Sequence, residues 1–258
     1  MQKKILILMT YFNRPKLVVN ALNSIVKNNE LHQNWELVFG DDNSKIPGEP
    51  IVREVLAEHL DKVTFIRGEA TLDEKLNNGI TIGVYANKLL KETDADYAIT
   101  LCDDDELYSN YLFNLNNFFN KNADVWHCYS DVIIYNPLLQ KSEDVIGGGG
   151  KYNKYREPIN GAGKIDASQV AWRIICNKVK EAWYMESTLN NSKHPWASNL
   201  DQHFFNELYE KCGPCVYTGF ISQYKGIHDY QLLWFKDVNE AGLRKYVSTV
   251  EEYGGEKF

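Results

Sequence analysis

Tyr97-Ala98-Ile99-Thr100-Leu101-Cys102-Asp103-Asp104-Asp105 reads as a buried strand that delivers three consecutive carboxylates. A short uncharged run of this length suits an enclosed strand. Burying one carboxylate is costly and clustering three is costlier, so the placement points to a cation and a polyphosphate rather than to packing. A turn that caps the next helix, expected near Ser109, is the structural alternative, because Asp is common in such turns.

The sequence upstream is patterned to set that strand in a parallel sheet. Lys4 to Thr10 is an apolar strand, and Pro15 opens a helix with Leu17, Val18, Leu22, Ile25 and Val26 at helical spacing. A second strand, Glu36 to Gly40, ends at the polar turn Asp41-Asp42-Asn43-Ser44. A helix over 51–59, a third strand at Val63 to Ile66, a turn at Asn77-Asn78-Gly79 and a helix from Ile80 to Leu90 follow. This alternation predicts an α/β fold with a mixed, mainly parallel sheet flanked by helices. Ligands of such sheets bind beyond the carboxyl ends of the strands, where Thr10-Tyr11, Asp41-Asp42 and the aspartate triplet all fall.

The second half is less regular. Its pattern predicts a helix over Tyr111 to Phe119, a long strand from Val125 to Tyr135, and a short helix from Ser168 to Ile175. A helix from Asn199 to Lys211, a strand from Cys215 to Ser222 and a polar C-terminal helix complete it. Gly147 to Gly150 is a candidate lid or a plain connection. We expect one domain over 1–258, with a ligand-binding half at 1–120 and an irregular half at 121–258.

Composition narrows the function classes. The 258 residues are 44% hydrophobic, 13% aromatic and 24% charged, which is ordinary for a folded protein. A net charge of −7 and a pI near 5.4 exclude broad contact with nucleic acid, which requires basic clusters, and disfavour an acidic membrane surface. Five scattered cysteines fit a reducing compartment better than a disulfide framework. Cys212-Gly213-Pro214-Cys215 lacks the second ligand pair of a zinc site and reads as a helix-to-strand turn. Ile5 to Met9 is too short for a signal-peptide core, and no segment has membrane-spanning length, so a soluble, cytoplasmic protein is expected.

Four groups of residues together carry a resemblance over about the first 115 positions. They are Thr10-Tyr11-Phe12-Asn13-Arg14-Pro15, Trp35 to Val38 leading into Asp41-Asp42-Asn43-Ser44, Asn77-x-Gly79, and Leu101-Cys102-Asp103-Asp104-Asp105. Their order and spacing resemble an inverting GT-A glycosyltransferase of family two. The resemblance implies a nucleotide-diphospho-sugar donor, UDP-linked by family habit, a carbohydrate or other hydroxyl acceptor, and a divalent cation, Mn²⁺ or Mg²⁺, on the diphosphate. It assigns Thr10, Tyr11 and Asp41 to the base, and Asn13 and Arg14 belong to the same donor-binding segment. Asp103 goes to the ribose or to support of the metal, and Asp104 and Asp105 to the metal in a DXD-like motif in which Cys102 stands where an acid is common. Lys75, with Arg67, is the basic residue best placed for the diphosphate or base. His228 matches a C-terminal histidine that many such enzymes place on the metal, a ligand type that suits Mn²⁺.

Asp201, in Asn199-Leu200-Asp201-Gln202, matches the family's general base ahead of a helix. Its task is to take the proton of the acceptor hydroxyl. Ser198-x-x-Asp201 also reads as a capping box. Trp172, Arg173, Trp183 and Trp196 gather in the half expected to face the acceptor, since sugars pack their apolar faces on aromatic rings; core filling is the alternative for each. A non-catalytic nucleotide- or sugar-binding module is the competing function. A Mg²⁺-dependent phosphotransferase is less favoured, because Thr10-Tyr11 stands where an aspartate nucleophile is needed.

Overall fold

The computed structural model describes residues 1–71, 83–136, 141–146, 158–160, 165–184 and 199–226, without the side chains of 83–85, 134–136, 141–146 and 199–201. The expected first half forms. Strands β1 (Ile5–Tyr11), β2 (Trp35–Asp41), β3 (Val63–Arg67) and β4 (Tyr97–Cys102) pair in parallel in the order β3-β2-β1-β4. Between them lie α1 (Pro15–Asn29), α2 (Glu49–Val55) with a 3₁₀ turn at Ala57–Lys62, and α3 (Gly83–Glu92).

Alternation along β1 sorts its side chains between two cores. Ile5, Ile7, Met9 and Tyr11 pack with Leu17-side residues of α1, among them Val18, Ala21, Leu22 and Ile25. Leu6 and Leu8 enter a second cluster with Leu90 of α3, Trp172 and Phe204. Pro15 occupies the first turn of α1, where its missing N–H costs nothing.

Beyond β4 come β5 (Glu106–Leu107), α4 (Tyr111–Lys121), β6 (His127–Asn136) and β7 (Lys141–Ile146). Then follow β8 (Val170–Arg173), α5 (Ile175–Lys178), α6 (Asn199–Cys212) and β9 (Val216–Gly226). The sheet continues as β4-β8-β6-β9-β5, with β7 on β6. Strands β8 and β5 run antiparallel to their neighbours, and β6 and β9 are parallel to each other. One mixed sheet thus runs from β3 through both halves.

The helix expected over Ser168 to Ile175 is corrected to a 3₁₀ turn at Ala167–Gln169, strand β8 and the short α5. Asp166 and Gln169 close a capping box on the 3₁₀ turn, and Gln169 also donates to the Ser130 carbonyl. The next four residues then fill the gap between β4 and β6 and pair with both strands, ladder partners that a helix would forfeit. Tertiary pairing overrides the local pattern here. The expected Gly147–Gly150 loop and C-terminal helix lie outside the described residues.

Trp172 is the largest fully enclosed side chain of this region. Its ring meets Phe204 edge-on at 5.0 Å, and its indole N–H donates to Asn177 at 2.9 Å. Trp172→Ala is expected to cost about 3 kcal/mol by leaving a cavity. Urea unfolding of the variant measures this, and a loss below about 1 kcal/mol would contradict the packing account.

His127, on β6 and 2% exposed, has an Nδ1 that meets no hydrogen-bond partner. Burial lowers its pKa to about 4. Because the folded value lies below the unfolded one, its stabilising contribution is full above about pH 6.5 and is lost as the pH falls toward 4. The shift corresponds to a loss on the order of 3 kcal/mol across that window. Comparing urea unfolding of the parent and His127→Phe at pH 7 and pH 4 checks this; equal losses in both would refute it.

Candidate active site

The carboxyl ends of β1, β2 and β4 meet, with β9 closing one side. In the register Thr10 lies opposite both Gly40 and Cys102, and Tyr11 opposite Asp41. Helix α1 fixes the segment after the triplet. Ser24 Oγ accepts from the Leu107 N–H at 2.9 Å, and Asn28 accepts from the Leu112 N–H and donates to the Tyr108 carbonyl. Strand β9 closes over it through the antiparallel pairs Glu106–Tyr224 and Leu107–Gln223, and Gln223 donates to the Thr100 carbonyl.

All three aspartates of the triplet are buried, and each faces a cation. Asp103 accepts from the Phe12 N–H at 2.8 Å and from the Arg14 guanidinium at 2.6 Å. Arg14 also lies 3.2 Å from Asp104. Asp105 accepts from the Gly226 N–H at 2.9 Å, and its Oδ2, 3.5 Å from Lys225 Nζ, is buried without a hydrogen-bond donor. Lys225 in turn pairs with Asp166 at 3.0 Å.

Burial raises the pKa of Asp103, against the pull of Arg14, and raises that of Asp105, against the pull of Lys225. Burial opposes the charge of Lys225, but Asp105 and Asp166 beside it hold its pKa well above the usual lysine range. The triplet is therefore no helix cap: α4 starts at Tyr111, after Asn110, with no side-chain cap. It is a compact array of negative charge with two built-in positive counterweights.

Cys102, Asp104 and Asp105 bring one ligand atom each within 4.8 Å of one another, the group among the described residues able to hold a metal. Burial pushes the Cys102 thiol well up, and soft sulfur is a poor ligand for a hard cation. The two carboxylates, one with an unpartnered buried oxygen, fit Mn²⁺ or Mg²⁺. The residues present suit such an ion.

The β2 turn shows how the fold holds two residues expected on the base. Asp41 Oδ1 accepts from the Ser44 N–H at 2.7 Å and its Oδ2 from the Gly48 N–H at 3.0 Å and from Arg67 at 2.9 Å. It organises the loop after β2. Tyr11, expected beside it, is fully enclosed: strand alternation turns it onto Phe39, and its hydroxyl donates to the Ile46 carbonyl. Gly48 permits this packing, since a Cβ there would stand 2.5 Å from the Phe39 ring and 2.7 Å from Tyr11.

Asn13, in the left-handed region at φ 51°, accepts at its side-chain Oδ1 from the Lys45 and Ile46 N–H groups. It too holds the loop. The half-exposed residues are the next ones along, Phe12 and Asp42, with Thr10. Period-2 alternation in β1 is the sequence signal that separates Tyr11 from Phe12. Nothing in the sequence alone pointed to Lys225 or Asp166.

The residues expected on the acceptor side fall in different places. Trp172 is core, and Arg173 donates to the carbonyls of Phe119, Asn122 and Val125 while stacking on Tyr97 and Phe119. Arg173 pairs with Tyr97 at the amino end of β4, opposite the triplet. Trp183 is half-buried beneath Lys91, at the end of α3. Asp201 lies in the first turn of α6, and its side chain is outside the described residues, as are Lys75, Trp196 and His228.

No described helix is long and apolar enough to cross a membrane. Comparison with solved structures finds the same fold. TarS residues 1–349 of S. aureus in complex with UDP-GlcNAc match with a TM-score of 0.64 at 14% identity, over 99% of this chain and 73% of that one. The mannosyltransferase PcManGT from Pyrobaculum calidifontis, in complex with GDP-Man and Mn²⁺, matches with a TM-score of 0.59 at 11% identity, over 98% of this chain and 70% of that one. No curated protein sequence matches. The family model for glycosyl transferase family 2 matches residues 6–176, which contain β1 from Leu6 onward, the β2 turn and the whole triplet, and the chain belongs to that family.

Proposed function

We propose that this glycosyltransferase moves a sugar from a nucleotide-diphospho-sugar, UDP-linked, to an acceptor hydroxyl with inversion at the anomeric carbon. The observation that carries the reading is the buried triplet beside Arg14 and Lys225 at the carboxyl end of β4. Its charge and enclosure suit a cation with a diphosphate better than any packing role. Asp104 and Asp105 hold the divalent cation, Mn²⁺ or Mg²⁺, with His228 as a further ligand. When bound, that cation offsets the negative charge developing on the departing nucleoside diphosphate.

The chain's own groups do the rest. Asp103 locks Arg14 and the Phe12 amide, which shapes the donor-facing loop. Phe12 and Asp42, half-exposed where Tyr11 and Asp41 are enclosed, meet the base, with Thr10 beside them and Lys75 toward the diphosphate. Asp201 takes the acceptor proton, which makes the hydroxyl oxygen a competent nucleophile on the face opposite the leaving group.

A thermal-shift panel of UDP, GDP, dTDP and CDP, each with and without Mn²⁺, tests this. At a hundredfold excess over its Kd, one nucleotide is expected to raise Tm by about 5 to 10 °C, and only with the metal. No metal-dependent shift with any of them defeats the donor reading. A shift accompanied by neither hydrolysis nor transfer to any acceptor favours the non-catalytic binding module.

A further inference from the structure

The two oxygens of Asp105 have different surroundings. Oδ1 accepts from the Gly226 N–H at 2.9 Å, whereas Oδ2 is enclosed, carries no hydrogen bond, and has Lys225 Nζ at 3.5 Å. Gly226 and Lys225 are neighbours at the end of β9, so one strand end sends an amide to one oxygen and an ammonium toward the other. An ammonium beside a buried, bare carboxylate oxygen gains by closing on it, because charge-assisted hydrogen bonds are short and strong. Here a second carboxylate holds it back.

That carboxylate is Asp166. Its Oδ1 lies 3.0 Å from Lys225 Nζ, nearer than Asp105 Oδ2, and is itself fixed by the Ser168 N–H at 3.0 Å and the Ser168 hydroxyl at 2.7 Å. The Asp166 N–H donates to Gln169 at 3.0 Å, which closes the cap on the 3₁₀ turn. The Thr100 hydroxyl donates to the Ala167 carbonyl at 2.7 Å, so the turn is anchored to β4, the strand that delivers the triplet. Asp166 thus stands on a fixed mount while Lys225 ends a flexible stem, and the carboxylate sets where the ammonium rests.

We propose that Asp166 is a positioning residue that draws Lys225 aside and keeps Asp105 Oδ2 open for the divalent cation. The inference rests on the reading of Asp104 and Asp105 as ligands of that cation. Lys225 and the cation are rivals for one oxygen: an ammonium bonded to Oδ2 occupies a ligand position, and two positive charges repel strongly in so enclosed a site. Without Asp166 the ammonium falls onto Oδ2, and metal binding weakens. Without Lys225 there is no rival to hold, and the loss of Asp166 costs little.

Binding of Mn²⁺ alone to the full chain at neutral pH, followed by the electron paramagnetic resonance signal of the free ion, tests this in a double-mutant cycle of Asp166→Asn and Lys225→Met. Asparagine keeps an oxygen for the Ser168 donors, so the cap survives. Asp166→Asn is expected to weaken Mn²⁺ binding about tenfold in the parent chain, and by less than about twofold when Lys225 is methionine. Lys225→Met binds Mn²⁺ no less tightly than the parent. Lys225→Gln repeats the comparison with a polar head, so an unfolded methionine variant does not decide it. Equal weakening in both backgrounds, the result of charge acting only through space, overturns the proposal, as does no weakening in either or weaker binding by the Lys225 variants. A parent chain that takes up no Mn²⁺ overturns it too. If UDP then still gives its metal-dependent thermal shift, the donor reading stands; if it does not, both fall.

Discussion

Asp104→Asn is expected to lower transfer by about a thousandfold while the chain stays folded. The change keeps the size of the side chain, removes its negative charge and turns one acceptor oxygen into an N–H₂ donor. Asp103 is committed to the Phe12 amide and Arg14, and Asp105 to the Gly226 amide and the side of Lys225. Neutralising either therefore disturbs loop architecture together with charge. Asp104, 3.2 Å from Arg14, is the member that the proposed reading places on the cation with Asp105.

Steady-state transfer over a range of Mn²⁺ concentrations measures the effect. The expected signature is a large rise in the metal concentration needed for half-activity, along with the fall in rate. Folding is followed separately by urea unfolding. Removing a carboxylate beside two others relieves repulsion as well as weakening the contact with Arg14, so stability should change by less than about 1 kcal/mol. Unchanged turnover and metal requirement would remove Asp104 from the site.

Asp201→Asn is expected to cut transfer by about 10³-fold through a different quantity. Donor binding should persist, because the triplet and the β1 and β2 turns are untouched. Only the step that needs the acceptor proton removed should slow. In the pH profile of kcat/KM, the limb that rises as the base ionises should vanish, since asparagine has no proton to lose. A purely structural role predicts the opposite pattern, in which transfer is retained and stability falls by about 1 kcal/mol from a lost helix-start contact. The two measurements together separate the base from the cap.

Much of the first half was legible. Tyr97 to Cys102 forms the strand its uncharged run predicts, and β1, β2 and β3 fall within one residue of their expected limits, because apolar runs bounded by turn residues have few other ways to be buried. Val170 to Arg173 was not legible as strand. The slot that recruits it exists only once β4 and β6 stand side by side. The aromatic residues show the same limit: a tryptophan meant for a sugar and one meant for a core have the same composition, and Trp172 became core because Phe204 and Tyr184, 32 and 12 positions away, close on it.

The sequence by itself determined the family, the parallel first half and the three strand ends that converge, since these follow from local periodicity and from the order of a few polar motifs. Only the tertiary structure decided which acids are committed to the protein. Asp41 is consumed by its own loop, Asp103 by Arg14, and Asp105 faces Lys225 from a strand more than a hundred residues away. A carboxylate's role depends on which donors reach it through space, and donors brought together by sheet pairing leave no mark on the spacing of residues along the chain.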